Sequence, residues 1–208
     1  MKLKEPIIKY YEKTIFNKCL TDNIFENVLI DEDSQENIKI ENKTIDSCIF
    51  KNINFNNIEL NNVDYLDVIF ENCDLSNKSF DKQFISRVVF KNCKMIGTTF
   101  IETNMKDVKF ENSNLRYVNI ADAKINNLIV SNCDFSEATF FNVMINNFEI
   151  DKTKLLKTEF IKTKLKEVDF RNNEIDGIIF DQESLQGIVI DSLQCHNIAV
   201  LFGVTVRN

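Results

Sequence analysis

The chain has 208 residues, enough for one sizeable core, and a formal net charge of −7 from 32 acids and 25 bases. Apolar residues make up 44% of it, with one Pro, four Gly, no Trp and 18 Phe. Scarce Pro and Gly exclude a loop-rich or disordered chain, and an acidic balance is a poor basis for gripping nucleic-acid phosphates through bulk charge. The opening MKLKEPIIKYYEKT holds no apolar run of secretory-signal length, and no stretch approaches a membrane span. None of Cys19, Cys48, Cys73, Cys93, Cys133 and Cys195 lies in a CxxC pair. That argues against a zinc site and for a reducing, cytoplasmic setting.

In chain order, residues 1–14 read as an N-terminal cap. A five-residue period then begins at Ile15, Leu20, Phe25 and Ile30. From Ile40 to Ile190 every fifth residue is apolar without exception, and thirteen of the 18 Phe fall in this register. A fixed period of this kind marks a solenoid. The residue two before each of these positions is often small or β-branched, as at Cys48, Val68, Cys73, Val88, Cys93 and Val108. The other three are mostly polar. Two side chains in five therefore point inward, two residues apart, as on one strand face.

A period of five fits neither a helix nor a plain alternating strand. It fits a short extended segment followed by a corner, and four such segments close a square of twenty residues. Residues twenty apart then lie about 4.8 Å apart, as in neighbouring strands. Asn52, Asn72, Asn92, Asn112, Asn132 and Asn172 form a corner column, where Asn tolerates turn geometry. Phe50, Phe70, Phe90, Phe110 and Phe170 form an inner stack. The repeating region is expected over 15–190.

Departures from the period mark candidate functional places. DEDSQEN, Asp31–Asn37, puts Asp33 and Gln35 at inward positions and is expected as an outward loop. SNKSFDKQF, Ser76–Phe84, has Lys78 and Gln83 at inward positions and reads as a bulged face or smaller loop. Phe148, Asn173 and Glu183 are lesser departures. After Ile190 the period fails, and 191–208 reads as a capping and dimerisation segment, with a short helix over about 192–201 and then a short strand. Leu193, Ile198, Leu201, Phe202, Val204 and Val206 are expected to cover the last coil and meet a second subunit.

The sequence offers little for catalysis. His196 is the one histidine, and no nucleophile elbow, phosphate loop, dinucleotide fingerprint or zinc-protease motif occurs. Cys73 and Cys93 share a column with nothing basic beside them to activate a thiolate. The expectation is a non-enzyme with no cofactor and no metal.

The five-residue pattern resembles the pentapeptide-repeat family, whose consensus centres on Leu or Phe with a small residue two before it. The resemblance implies an all-β, right-handed quadrilateral β-helix, here with a short C-terminal helix. Within that family, DEDSQEN and the C-terminal ESLQGIVIDSLQ…FGVTV resemble the Qnr-type quinolone-resistance proteins. That resemblance implies a cytoplasmic homodimer that binds DNA gyrase and topoisomerase IV and relieves fluoroquinolone poisoning by imitating DNA. On it, Asp31, Glu32, Asp33, Ser34, Gln35, Glu36 and Asn37 would form a partner-binding loop. Glu41, Glu59, Asp81, Glu102, Asp122, Glu159 and Asp181 would form an acidic face. The unbroken register from Phe100 to Leu115 leaves no room for the second, larger loop of several Qnr proteins. The alternative is a pentapeptide-repeat scaffold or toxin-immunity protein with another partner.

Overall fold

The computed structural model describes residues 3–22, 25–33 and 37–207. The chain winds into a parallel β-solenoid. The strands are β1 (Glu12–Thr14), β2 (Val28–Asp31), β3 (Ile38–Lys51), β4 (Ile58–Glu71), β5 (Phe84–Lys91), β6 (Thr99–Ile101), β7 (Asn104–Glu111), β8 (Asn119–Ala121), β9 (Lys124–Ser131), β10 (Thr139–Phe141), β11 (Met144–Asp151), β12 (Glu159–Ile161) and β13 (Ile179–Phe180). Three short helices accompany them: α1 (Phe16–Asp22), α2 (Gln182–Leu185) and α3 (Cys195–Leu201).

From β2 onward every pairing is parallel and steps by twenty, so Phe50 lies under Phe70, then Phe90, then Phe110. One sheet runs β1-β2-β3-β4-β5-β7-β9-β11 and wraps two sides of the square. The sheet β13-β12-β10-β8-β6 forms a third side. Single bridges such as Asn54↔Asp74 and Asp74↔Lys94 form the fourth.

The corners explain the composition. Among the described residues, twenty-seven non-glycine residues, spaced by five or by multiples of five from Asn27 to Glu167, adopt φ between 50° and 67°. That left-handed conformation costs most residues about 1–2 kcal/mol, and Asn tolerates it best after Gly. Thirteen of the twenty-seven are Asn. Where side chains meet on the expected corner column, Asn92 Nδ2 donates to Asn72, Asn72 to Asn52 (both 3.1 Å), and Asn52 to Asp31 (2.9 Å). Asn172 departs from the column. It lacks the left-handed φ and donates instead to Asp151 (3.1 Å).

Two files of rings fill the interior. Phe50, Phe70, Phe90 and Phe110 stack at centroid distances of 5.2, 5.1 and 5.0 Å. Phe80 stacks on Phe100 at 5.1 Å, and Phe160 lies between Phe140 (4.6 Å) and Phe180 (5.6 Å). Edge-to-face contacts such as Phe80–Phe90 tie the files together, an arrangement that adds about 0.5–1.5 kcal/mol per pair beyond burial.

Three expectations are corrected, and one, the loop at 31–37, falls partly outside the described residues. First, the solenoid register does not begin at Ile15. That residue is half exposed, and residues 16–22 are α1. Glu12 pairs with Val28, a step of sixteen, so the first turn is not yet a regular coil. Fully buried Phe16 stacks on Phe50 (5.9 Å) and meets Phe55 edge-on (6.2 Å), supplying the ring that the polar stretch 33–35 lacks.

Second, of the expected loop at 31–37 residues 34–36 lie outside the described residues, and Ile30 pairs with Phe50, twenty residues on. Third, 76–84 is neither loop nor bulge. Corners persist at Asn77 and Lys82, and Phe70 still pairs with Phe90. Gln83 is buried, and Lys78 reaches down to the carbonyls of Asn56 (3.2 Å) and Ile58 (2.9 Å). Fourth, the coil does not run unbroken to 190. Asp181 caps α2 by accepting from Ser184 N, and Ser184 rather than Glu183 turns inward to take the Thr163 N–H (3.0 Å). The C-terminal helix begins at Cys195 rather than 192.

Ahead of β1 an extended arm runs down one corner of the rod, against the direction in which the coils climb. Lys4 N donates to Asp107 Oδ1 (3.3 Å), Ile7 N to Asp67 Oδ1 (2.8 Å), and Glu12 N to Asn27 O (2.9 Å). Asp67 is also held by a two-pronged pair with Arg87, both contacts 2.6 Å. Burial pushes the Asp67 carboxyl up, but the Arg87 guanidinium and the Ile7 N–H outweigh it and hold the group below the usual carboxylate range. Stability from such a lowered carboxyl is complete above its unfolded value, about 3.9, and is lost as pH falls through the folded value. The arm is therefore expected to stay docked down to about pH 4 and to detach below it. The Ile7 amide shift in an acid titration reads this, and a transition centred above the ordinary carboxylate value would contradict it.

Candidate protein-binding surface

Two of the four described residues of the expected partner loop, Asp31 and Asp33, are engaged within the fold. Asp31 ends β2, where its carboxylate accepts from Lys13 Nζ (3.2 Å) and Asn52 Nδ2 (2.9 Å). Lys13 and Asn52 hold its carboxyl below the usual range. Asp33 Oδ2 accepts the Phe16 N–H at 2.8 Å and so caps the start of α1. Glu32 and Asn37 are exposed corner residues with φ of 57° and 62°. Ser34, Gln35 and Glu36 lie outside the described residues.

The seven acids of the expected face do share one side of the rod, because the twenty-residue register carries Glu41 and Asp81 into one column and Glu59 and Glu159 into the next. Much of their charge is spoken for. Glu41 pairs with Lys39 (3.0 Å) and accepts from Asn61 (3.1 Å), and both hold its carboxyl low. Lys39 also approaches Glu59 (3.9 Å), and Lys82 approaches Glu102 (3.7 Å). Asp81 accepts the Ile101 N–H, Asp122 the Asn142 amide, and Asp181 the N–H groups of Ser184 and Lys162. Glu159 lies on β12 with none of these partners.

At the C-terminal end the six expected interface residues divide. Leu193, Phe202, Val204 and Val206 are exposed by 80%, 66%, 51% and 49%. Ile198 and Leu201 instead pack down on the core and close the last coil. Gln194, which apolar patterning passed over, is buried and plugs the same end. Its Nε2 donates to Phe170 O (2.8 Å) and Asn173 O (2.9 Å), and its Oε1 accepts from Asp191 N (3.2 Å).

Five of the six cysteines are buried and Cys195 is exposed; the hydrogen bond with Cys73 holds the Cys93 thiol below its ordinary value. Burial pushes Cys48 up to about 12 and Cys133 to about 11, and the hydrogen bond to Cys93, with burial, pushes Cys73 up. A thiol so raised is a poor nucleophile. Exposed His196 Nδ1 lies 2.6 Å from its neighbour Leu193 O. Among the described residues no three His, Cys, Asp or Glu gather as a metal site, and no helix is long and apolar enough to cross a membrane.

Residues 63–131 match the pentapeptide repeat region family model. No curated protein matches the chain. Solved structures similar to it include a trypsin-treated variant of QnrB1, a plasmid-mediated fluoroquinolone resistance protein. It is 17% identical over 88% of this chain and 96% of that one, with a TM-score of 0.43. Full-length QnrB1 is 15% identical over 86% and 97%, with a TM-score of 0.36. HetL, a pentapeptide repeat protein involved in heterocyst differentiation regulation from the cyanobacterium Nostoc sp. strain PCC 7120, is 11% identical over 85% and 95%, with a TM-score of 0.28. Likeness at this level carries no statement about what the chain does. Residues 63–131 thus carry the pentapeptide-repeat pattern, and the same left-handed corners continue on both sides of them, from Asn27 to Gly187, in one β-solenoid.

Proposed function

We propose that the protein is a non-enzymatic binding rod that docks on DNA gyrase and topoisomerase IV in the place of DNA and protects them from fluoroquinolones. The observation that carries this reading is the file of carboxylates from Glu41 to Asp181 along one side of the rod, a surface suited to a basic DNA-binding saddle. The resemblance of the DEDSQEN and FGVTV stretches to Qnr-type proteins supports it. So does the exposed apolar group of Leu193, Phe202, Val204 and Val206, which suits an end-to-end homodimer. A second reading, a scaffold or toxin-immunity protein with another partner, draws on the pairing of Lys39 and Lys82 with the acids of that side, which weakens literal mimicry of DNA.

Gyrase supercoiling under a fluoroquinolone, with and without the protein, tests the reading. The wild type is expected to restore supercoiling. The triple reversal Glu41→Lys, Glu102→Lys, Glu159→Lys is expected to lose most of that protection, because none of these carboxylates accepts a backbone N–H. Undiminished protection by the triple variant would remove the acidic face from the interaction. No protection by the wild type, with neither topoisomerase recovered in a pull-down, would favour the second reading. The 31–37 stretch is better tested by Glu32→Lys than by deletion. Deletion shortens a coil that must stay twenty residues long and removes the cap of α1.

A further inference from the structure

The wall of the solenoid is open above β11. In the eight-stranded sheet β2 to β9 pair on both edges, whereas β11 pairs only with β9 below it. Residues 163–168, which face its upper edge, form no strand. One inward side chain changes at this level. Paired upward through the sheet, the inward column at this corner reads Cys48, Val68, Val88, Val108, Leu128 and then Phe148. A ring thus stands where the coils below carry Cys, Val or Leu.

Beyond the corner the opening is stitched by Asn172 Nδ2 to Asp151 Oδ1 (3.1 Å) and Asn173 Nδ2 to Ile150 O (3.3 Å). Before it, among the described residues, no hydrogen bond joins 144–148 to 163–168. Two adjoining cavities of about 490 and 350 Å³ open there. Above Ile58, where β4 also lacks an upper partner before Tyr65, the Lys78 ammonium reaches the carbonyls of Asn56 and Ile58.

Lys162, Lys164 and Lys166 line the two cavities from the upper lip, with Glu149, Glu167 and Glu183 at their margins. Lys164 has only an exposed ion pair with Glu183 (3.6 Å), a contact of little strength. The lower lip offers the backbone edge of β11 and exposed Met144.

We propose that the open edge of β11 from Met144 to Phe148 is a docking site that takes an extended acidic peptide segment of another protein as an added strand, its carboxylates meeting Lys164 and Lys166. Unpaired strand edges bind extended chains through main-chain hydrogen bonds, with side-chain contacts selecting the sequence. Glu149, Glu167 and Glu183 border the cavities and confine the favourable field to a short segment, which disfavours a long polyanion such as nucleic acid.

Fluorescence anisotropy with a labelled octapeptide alternating Asp and Val tests this without gyrase, so its outcome is separate from that of the reading above. The wild type is expected to bind it. An equally charged peptide alternating Asp and Pro, which lacks the alternate N–H donors, is expected to bind at least about tenfold more weakly. Lys164→Glu with Lys166→Glu should weaken binding by a similar factor with the wall left open. Phe148→Val should abolish binding by letting the coils pair, seen as new amide protection at 144–148 in hydrogen exchange. Failure of the wild type to bind would overturn the proposal and leave the lysines as guards of a bare edge. Equal binding of the proline peptide, or displacement of the peptide by duplex DNA at lower concentration, would reduce the site to bare charge and overturn it too. So would amide protection at 144–148 that rises with protein concentration alone, since a second copy would then be the occupant.

Discussion

Phe90→Ala is expected to lower the unfolding free energy by about 3–5 kcal/mol, the range for emptying a well-packed aromatic site. Phe90 is fully buried, stacked between Phe70 (5.1 Å) and Phe110 (5.0 Å), with Phe80 edge-on at 5.8 Å. The site cannot collapse to fill the void, because the walls around it are held by inter-coil hydrogen bonds such as Asn92 N to Glu111 O and Phe80 N to Thr99 O. The loss is also expected to be local. Each coil touches only its neighbours, so the variant should split one unfolding transition into two as the halves on either side of the void part company. Urea denaturation followed by circular dichroism reads both effects. A loss below about 1 kcal/mol with one sharp transition would show that the ring file does not bear the stack. Phe90→Leu keeps most of the volume and should cost less than about 1.5 kcal/mol.

Gln194→Leu is the second large effect. The substitution keeps the bulk of the side chain but strips the only two donors that the Gln194 amide aims at the carbonyls of Phe170 and Asn173. The Phe170 carbonyl still accepts the Asn173 N–H (3.1 Å), so the Asn173 carbonyl is the one left without its donor, and a loss of about 1–3 kcal/mol is expected. The damage falls on the end of the rod, where Ile198 and Leu201 also pack. Hydrogen exchange should speed first at the amides of Phe170 and Val189, which bond across that last turn. Unchanged exchange there would mean that the helix alone closes the end. Gln194→Glu is the informative companion, since a carboxylate keeps the shape and cannot donate while ionised.

Most of the architecture was legible because a solenoid repeats a local instruction. An apolar residue every fifth place, a small one two before it and Asn at the corner each act within one side of the square, and the twenty-residue step then stacks like on like. The columns at Phe50–Phe110 and the shared side of Glu41–Asp181 follow from counting alone. The departures were also visible as departures, but what the molecule makes of them was not. Gln35 announced a missing inward ring, and nothing local says that Phe16, some twenty residues earlier, supplies it. Asp31 and Asp33 looked like a free acidic loop, yet Lys13, Asn52 and the Phe16 N–H take up their oxygens. Those bonds join partners distant in sequence and carry no period.

Counting along the chain is thus enough to specify the solenoid, its four sides, its columns and the places where the pattern fails, since these rest on interactions within a side and between sides twenty apart. How each failure is resolved depends on the folded whole: a helix filling the first turn, a lysine reaching two carbonyls of the wall, a glutamine plugging the end, and an opening above β11 beside the ring of Phe148. Burial and hydrogen-bond satisfaction must be met over the entire coil, and any part of the chain within reach can meet them.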